Sequence, residues 1–312
     1  MYLCVNKNTW MLKTLINISR WFGLLNKTII SMFRIIVLSK NSQSFRGQNS
    51  KKERVVILGN GPSFKKTIDE NKKMFLENEL ICLNHFAITD YYSELKPKYY
   101  FAIAHDLFLD NAELEFIDAS NKLFHAIAKK TTWKLKFYIS FEAKSQMRWQ
   151  EILKQNENVE IIYMNLTPIE GFERFSHRVF KKGLGMPRPH NVMIPSIFSA
   201  INLGVKEIIL IGADHSWLKE LVVNENNFVM FHDKHFYDEK SQLKKFNFDE
   251  NNYPKLHDIL VSLSKAFASY HILNSYALKQ GVEILNCTPN SYIDAFIRCE
   301  IKDNKVCNDK GK

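Results

Sequence analysis

The sequence predicts an α/β protein: a Rossmann-like, mostly parallel sheet with helices on both faces, an inserted lid and an N-terminal amphipathic helix. Three observations predict it. From Arg54 onward, short runs rich in Val, Ile, Leu, Tyr and Phe recur between helical stretches. These runs are continuous rather than alternating, as strands buried on both faces must be. The first of them leads straight into Gly59-Asn60-Gly61-Pro62-Ser63, a strand-to-helix turn of the kind that opens a βαβ unit. Between Trp10 and Leu38 an apolar, aromatic stretch carries Lys13, Arg20, Lys27 and Arg34 at intervals of seven, which sets four cations along one stripe of a helix.

The N-terminal helix comes first. A transmembrane segment needs about 18 nearly uncharged residues, and each central Lys or Arg costs roughly 2.5–3.5 kcal/mol on insertion scales. The cations break this stretch into shorter pieces. A secretory signal needs an unbroken apolar run and a small-residue cleavage site, and neither precedes the polar run from Ser39 to Ser44. Residues 1–50 therefore read as a helix lying on an anionic membrane surface, followed by a linker. The plain alternative is a helix docked on the domain with its cations in water.

Charge supports that division. The 312 residues carry a net charge of +10, yet nine Lys or Arg and no Asp or Glu precede Glu53. The other 34 of the 43 basic residues face 33 acidic ones and are nearly balanced. A nucleic-acid binder needs its cations on the folded domain, where they can track phosphates, so nucleic acid is not an expected partner. With 46% hydrophobic residues the remainder is long enough for one large domain with insertions. The plan is a domain over 51–300 with a lid around 215–254, and a polar tail over 301–312.

Within the domain, strands are expected at Val55–Leu58, Leu80–Leu83, Tyr100–Ala104, Lys134–Ile139, Glu160–Tyr163, Glu207–Ile211 and Val282–Leu285. Helices read most clearly at Ser196–Asn202, stopped by Gly204, and at Lys255–Lys279, stopped by Gly281. Met164–His190 and Trp217–Pro254 show no clean period and read as functional loops or lids. Cys4, Cys82, Cys287, Cys299 and Cys307 form no CxxC pair and are odd in number, which fits neither a disulfide scaffold nor a zinc ribbon and points to reduced thiols.

Parallel sheets bind ligands at the carboxyl ends of their strands. There the sequence places Gly59, Asn60, Gly61, Pro62 and Ser63, then Asn84 and His85, His105 and Asp106, and Gly212-Ala213-Asp214-His215. Glycines let backbone N–H groups approach an anion, and the next helix adds its positive end. The same Gly-Asn-Gly-Pro is also good turn chemistry with no ligand. Any single polar residue here reads better as a buried, satisfied polar group or a helix cap; four strand ends agreeing shift the reading toward a pocket. Phe231-His232-Asp233-Lys234-His235-Phe236-Tyr237-Asp238 adds histidines three apart. His-x-x-His is a loose metal pattern and the chain has no Asp-x-Asp, so no metal site is assigned. A histidine titrating near neutrality suits proton abstraction.

Val56–Ser63, the strand ending at Asn84, Leu203–Ile208 through Gly212-Ala213-Asp214, and Cys287-Thr288-Pro289-Asn290-Ser291 together resemble bacterial lipooligosaccharide-type sialyltransferases that use CMP-sialic acid. The same elements are similar to the group holding motility-associated flagellin glycosyltransferases and a hydroxymethylpterin diphosphokinase. The resemblance runs in islands from Arg54 to Arg298. It implies nucleotide contacts at Gly59, Asn60, Gly61, Pro62, Ser63, Asn84 and His85, with Asn290 and Ser291 closing the site. It also implies a lid histidine as general base, with His235, His232 and His257 as candidates beside Asp214, and Tyr237 on the departing phosphate. Where that family has Thr-Ser-Gly, this chain has Asn191-Val192-Met193, which leaves the donor sugar open.

The expected function is a metal-independent, inverting glycosyltransferase with no cofactor. Its donor would be a nucleotide-activated sugar, CMP-linked and sialic acid-like, and its acceptor a glycan or lipid-linked glycan at the inner face of the bacterial cytoplasmic membrane. Self-association is left open. The rival readings are a pyrophosphokinase on the same scaffold and a non-catalytic membrane-bound assembly protein.

Overall fold

The computed structural model describes residues 10–40, 53–233, 235–237, 242–245 and 253–307. Eight parallel strands form one sheet in the order β11-β10-β6-β1-β2-β3-β4-β5. They are β1 (Arg54–Leu58), β2 (Glu79–Leu83), β3 (Tyr99–Phe101), β4 (Leu135–Ser140), β5 (Val159–Met164), β6 (Glu207–Ile211), β10 (Glu283–Asn286) and β11 (Ile297–Arg298). From β1 the chain winds outward through β2 to β5, then returns to lay β6 on the other side of β1, in register from Arg54↔Glu207 to Leu58↔Ile211. This reversal is the topological switch point, and the crevice that ligands use in such sheets lies at the carboxyl ends of β1 and β6.

The reason for a parallel sheet is visible in β1, where Val55, Val56, Ile57 and Leu58 are all fully buried. Alternate residues face opposite sides. Val55 and Ile57 enter a core under the helices Glu173–Lys181, Met193–Asn202 and Leu256–Gln280. Val56 and Leu58 enter the other core with Phe64, Phe86, Phe124 and Trp149. Only helices on both faces bury such a strand.

The expected strands all appear with ends shifted by no more than one residue, except β3, which begins one residue earlier and ends three residues earlier than expected, with the helix His105–Phe108 following it. The long helix ends at Gly281, whose φ of +72° makes the left-handed cap that glycine adopts at least cost. The stretch Met164–His190, read as aperiodic, contains the helix Glu173–Lys181, which is amphipathic but only nine residues long, shorter than the 11–18-residue window over which a helical period is read. Trp217–Pro254 contains a small antiparallel sheet of β7 (Leu221–Val223), β8 (Val229–Asp233) and β9 (Gln242–Lys245).

Two expectations are corrected. The stretch expected as a polar tail over 301–312 begins instead as a hairpin of β12 (Glu300–Lys302) and β13 (Lys305–Cys307). Asp303 and Asn304 turn it at φ of +52° and +61°, the two-residue turn that matches strand twist. Asn304 fastens it to the domain, since its N–H donates to Asn71 Oδ1 and its Oδ1 accepts from Met74 N. Nor are all the cysteines reduced thiols. Cys287 and Cys299 are joined by a disulfide; the parallel pairing of β10 with β11 brings the two chain ends together, which spacing alone did not reveal.

The N-terminal helix runs from Trp10 to Leu38 and packs on the loop Pro168–Phe172. By length and composition, Lys13–Leu38 is enough to cross a membrane, with a mean hydropathy of 1.5.

Candidate active site

The glycine loop is built by the meeting of β1 and β6. Gly59 N–H donates to Ile211 O at 2.7 Å and Gly61 N–H to Gly212 O at 2.9 Å. A Cβ on Gly59 would stand 2.3 Å from Gly212 O, and one on Gly61 1.9 Å from Asp214 Oδ2. The glycines are therefore needed so that two backbones can touch. The amides expected to cradle an anion are already spent on carbonyls.

The N-terminus of the next helix is occupied as well. Ser63 donates twice to Asp214, from its N–H to Oδ1 at 3.2 Å and from its hydroxyl to Oδ2 at 2.8 Å. Asp214 thus sits where a phosphate would need to be, and its role is to clamp the two loops. Desolvation raises the Asp214 pKa, and the hydrogen bonds from Ser63 only partly offset it.

The carboxyl ends of β1, β2 and β6 surround a crevice of about 590 Å³. It is lined by Gly59, Asn60, Gly61 and Pro62 after β1, Asn84 after β2, Asp214 and His215 after β6, and by Asn191, Trp217, Glu220 and His235. Asn60 Nδ2 donates to Leu83 O at 3.0 Å, which fixes the amide and leaves its buried Oδ1 without a partner. Asn84 Oδ1 is likewise buried and unpartnered, on a residue held at φ +45°. Asn191 Nδ2 is the third such atom.

Asn191 belongs to a relay that sequence reasoning missed. Its Oδ1 accepts from Met193 N, Ile194 N and the Tyr270 hydroxyl at 3.0, 3.3 and 3.1 Å. Tyr270 has one proton and gives it to Asn191, so His215 Nε2, 2.6 Å from the same hydroxyl, must be the donor there. His215 Nδ1 then carries the lone pair. Desolvation pushes this imidazole down to about 3, so it stays neutral at physiological pH. Its φ of +52° holds a non-glycine residue in the left-handed region, a strain that gathers at functional sites. Trp217 packs on the ring at 4.3 Å. Tyr270 lies inside a long regular helix, where no local signal marks it.

The lid reaches the crevice through Phe236. Its N–H donates to Asn60 O at 3.1 Å, and its ring packs on Phe64, Phe86 and Tyr91 at 4.6, 5.8 and 6.1 Å. That anchor sets His235 at the crevice, its ring parallel to Tyr237 at 5.1 Å.

Other expected residues fall elsewhere. His257 is exposed at the start of the long helix, 3.2 Å from Asp258, and does not line the crevice. Asn290 and Ser291 line a neighbouring depression with Cys287 and Arg298. Ser291 is a strap: its hydroxyl donates to Ala213 O at 2.6 Å and accepts from Asn286 Nδ2 at 3.0 Å. His85 is half-buried at the end of β2 and is not among the crevice residues. His105 is exposed and lies 2.9 Å from Glu142. His232 and Asp233 are described only as β8 backbone, and Lys234 and Asp238 lie outside the described residues, so the His-x-x-His reading has no geometry. Among the described residues no three His, Cys, Asp or Glu side chains group as metal ligands.

Comparison with protein-family models gives no match, and comparison with curated proteins gives none either. Among the solved structures that are similar is a MAf glycosyltransferase from Magnetospirillum magneticum AMB-1, 14% identical with a TM-score of 0.46 over 88% of this chain and 38% of that one. The present chain thus spans well under half of that protein's length. At this distance the likeness says nothing about substrate or chemistry.

Proposed function

We propose that this chain transfers a glycosyl group from a nucleotide-activated sugar, CMP-linked and sialic acid-like, to a glycan or lipid-linked acceptor, with inversion and without metal. The observation that carries the reading is the set of three buried, partnerless amide atoms, Asn60 Oδ1, Asn84 Oδ1 and Asn191 Nδ2, around one crevice at the switch point of the sheet. Each such atom costs about 1–3 kcal/mol when left unmade. A ligand offering two donors and one acceptor would complete them, as the amino group and hydroxyls of a nucleoside with an oxygen of the attached sugar can. The crevice volume lies within the usual range for small-molecule sites. The motif resemblance, which places Asn60 and Asn84 on the nucleotide, points the same way.

In this reading His235 takes the proton from an acceptor hydroxyl as that oxygen bonds to the anomeric carbon. The bond from that carbon to the phosphate oxygen breaks, and the nucleotide leaves with its electron pair toward Tyr237. Proton transfer of this kind supplies about 10²–10⁴-fold of a rate. Asp214 and Ser63 hold the loop that positions the donor, and positioning contributes the rest.

The test is thermal shift of the full chain with CMP, UDP, GDP and ATP, followed by donor hydrolysis in EDTA. Stabilisation by CMP and turnover of a CMP-sugar in EDTA are expected. If no nucleotide raises the melting temperature, the reading fails; turnover of ATP that EDTA abolishes would support a pyrophosphokinase instead.

A further inference from the structure

The N-terminal helix is attached to the domain chiefly by polar side chains, with Ile35 packed on the core and Trp21 on Phe172, and most of its apolar surface faces outward. Ser31 Oγ donates to Glu170 O at 2.8 Å and accepts from Glu170 N at 2.9 Å, and Thr28 Oγ1 accepts from Phe172 N at 3.0 Å. Arg34 pairs with Glu170 at 3.2 Å. Gly171 lets the helix come this close: at its φ of +121°, a Cβ would stand 2.1 Å from Thr28 Oγ1. Asn165 Nδ2 donates to Ser39 Oγ at 3.0 Å and pins the end.

The opposite side carries Leu15, Phe22, Ile29 and Ile36, each two residues after a cation and so half a turn away from the docking stripe. They are 62%, 54%, 43% and 79% exposed, and Phe33 and Val37 are exposed beside them. A soluble protein docks a helix the other way round, with the apolar stripe in the core. A contiguous apolar strip of this extent marks an interaction surface.

We infer that this strip is the protein's bilayer-contacting face, with the helix lying in the plane of the membrane interface and the domain held beneath it. Charge selects lipid as the occupant. Lys13, Arg20 and Lys27 run along the side next to the domain, where headgroups meet water, and no acidic residue precedes Glu53. Cations on the polar side of an in-plane helix are the arrangement that anionic lipid stabilises. The docking contacts also decide between lying and spanning. Thr28, Ser31 and Arg34 hold a polar loop, so that half of the helix cannot enter the hydrocarbon. What remains, Trp10 to Lys27, carries three cations and falls short of a span of about 20 apolar residues. The inference is independent of the proposed transferase chemistry.

The test uses the full chain and phosphatidylcholine vesicles with and without phosphatidylglycerol. Co-sedimentation strengthened by phosphatidylglycerol and weakened by salt is expected. The combined variant Phe22→Glu, Phe33→Glu and Ile36→Glu should lose at least about tenfold in binding while its melting temperature is kept, which separates lost contact from lost fold. Depth is then read from spin labels placed singly at positions 15, 22, 29 and 36 in a chain with Cys4 and Cys307 changed to Ser. Equal depth at all four is expected; a depth that rises and falls along the helix means spanning and overturns the inference. Equal vesicle binding by the glutamate variant would overturn it too, as would a dimer in lipid-free solution that this variant splits while the parent ignores vesicles.

Discussion

Ser63 and Asp214 clasp each other across the carboxyl ends of β1 and β6, through two hydrogen bonds that reach 151 residues along the chain. Asp214→Ala leaves both donors without their acceptor and should destabilise the fold by about 1–3 kcal/mol. Asp214→Asn keeps one acceptor and should cost less. Urea unfolding of the two variants checks this; equal losses would show that the carboxylate does not hold the loop.

The contact between the two loops leaves no room for a side chain. Gly61→Ala would put a methyl carbon 1.9 Å from Asp214 Oδ2 and 2.7 Å from Gly212 O. A backbone carbonyl cannot swing away, so a lower melting temperature and weaker nucleotide binding are expected together. Gly23→Ala meets nothing within 4 Å, and should gain roughly 0.5–1 kcal/mol from helix propensity. A tolerated Gly61→Ala would show that the loops separate easily.

His235→Ala should reduce turnover at least about a hundredfold with nucleotide affinity nearly intact, since only proton transfer in the transition state is lost. Phe236→Ala acts differently. It removes the ring that packs on Phe64, so it should raise the acceptor KM as well as lower kcat. A collapse in His232→Ala with near-normal His235→Ala would move the base to His232.

His215 makes the fold acid-sensitive. Its pKa falls from 6.5 when exposed to about 3 in the folded chain. Below pH 6.5 the unfolded chain takes up a proton that the folded chain refuses. The contribution to stability is therefore whole above 6.5 and is lost as the pH falls toward 3, by up to about 1.4 kcal/mol per pH unit. His215→Asn, which tolerates the left-handed backbone without titrating, should flatten the acid limb of unfolding free energy against pH. An unchanged slope would assign the limb to other groups.

Runs such as Val55–Leu58 and Glu207–Ile211 declared themselves in the sequence, because burial on both faces is written into their consecutive apolar residues. The strand ends followed from them, and with those ends came Asn60, Asn84, Asp214 and the place of the crevice. The cationic stripe from Lys13 to Arg34 was equally plain, since helical spacing is a local property. Only the tertiary structure decided what those residues meet. The return of β6 to the side of β1 turned the glycines from an anion cradle into a seam between backbones and gave Asp214 to Ser63. It joined Asn191 to Tyr270 and His215, which lie in three separate elements, and it showed the N-terminal helix bound chiefly by polar side chains. Periodicity records which face of an element is apolar; it holds no record of which distant element arrives at that face, and hydrogen bonds between loops depend on that arrival.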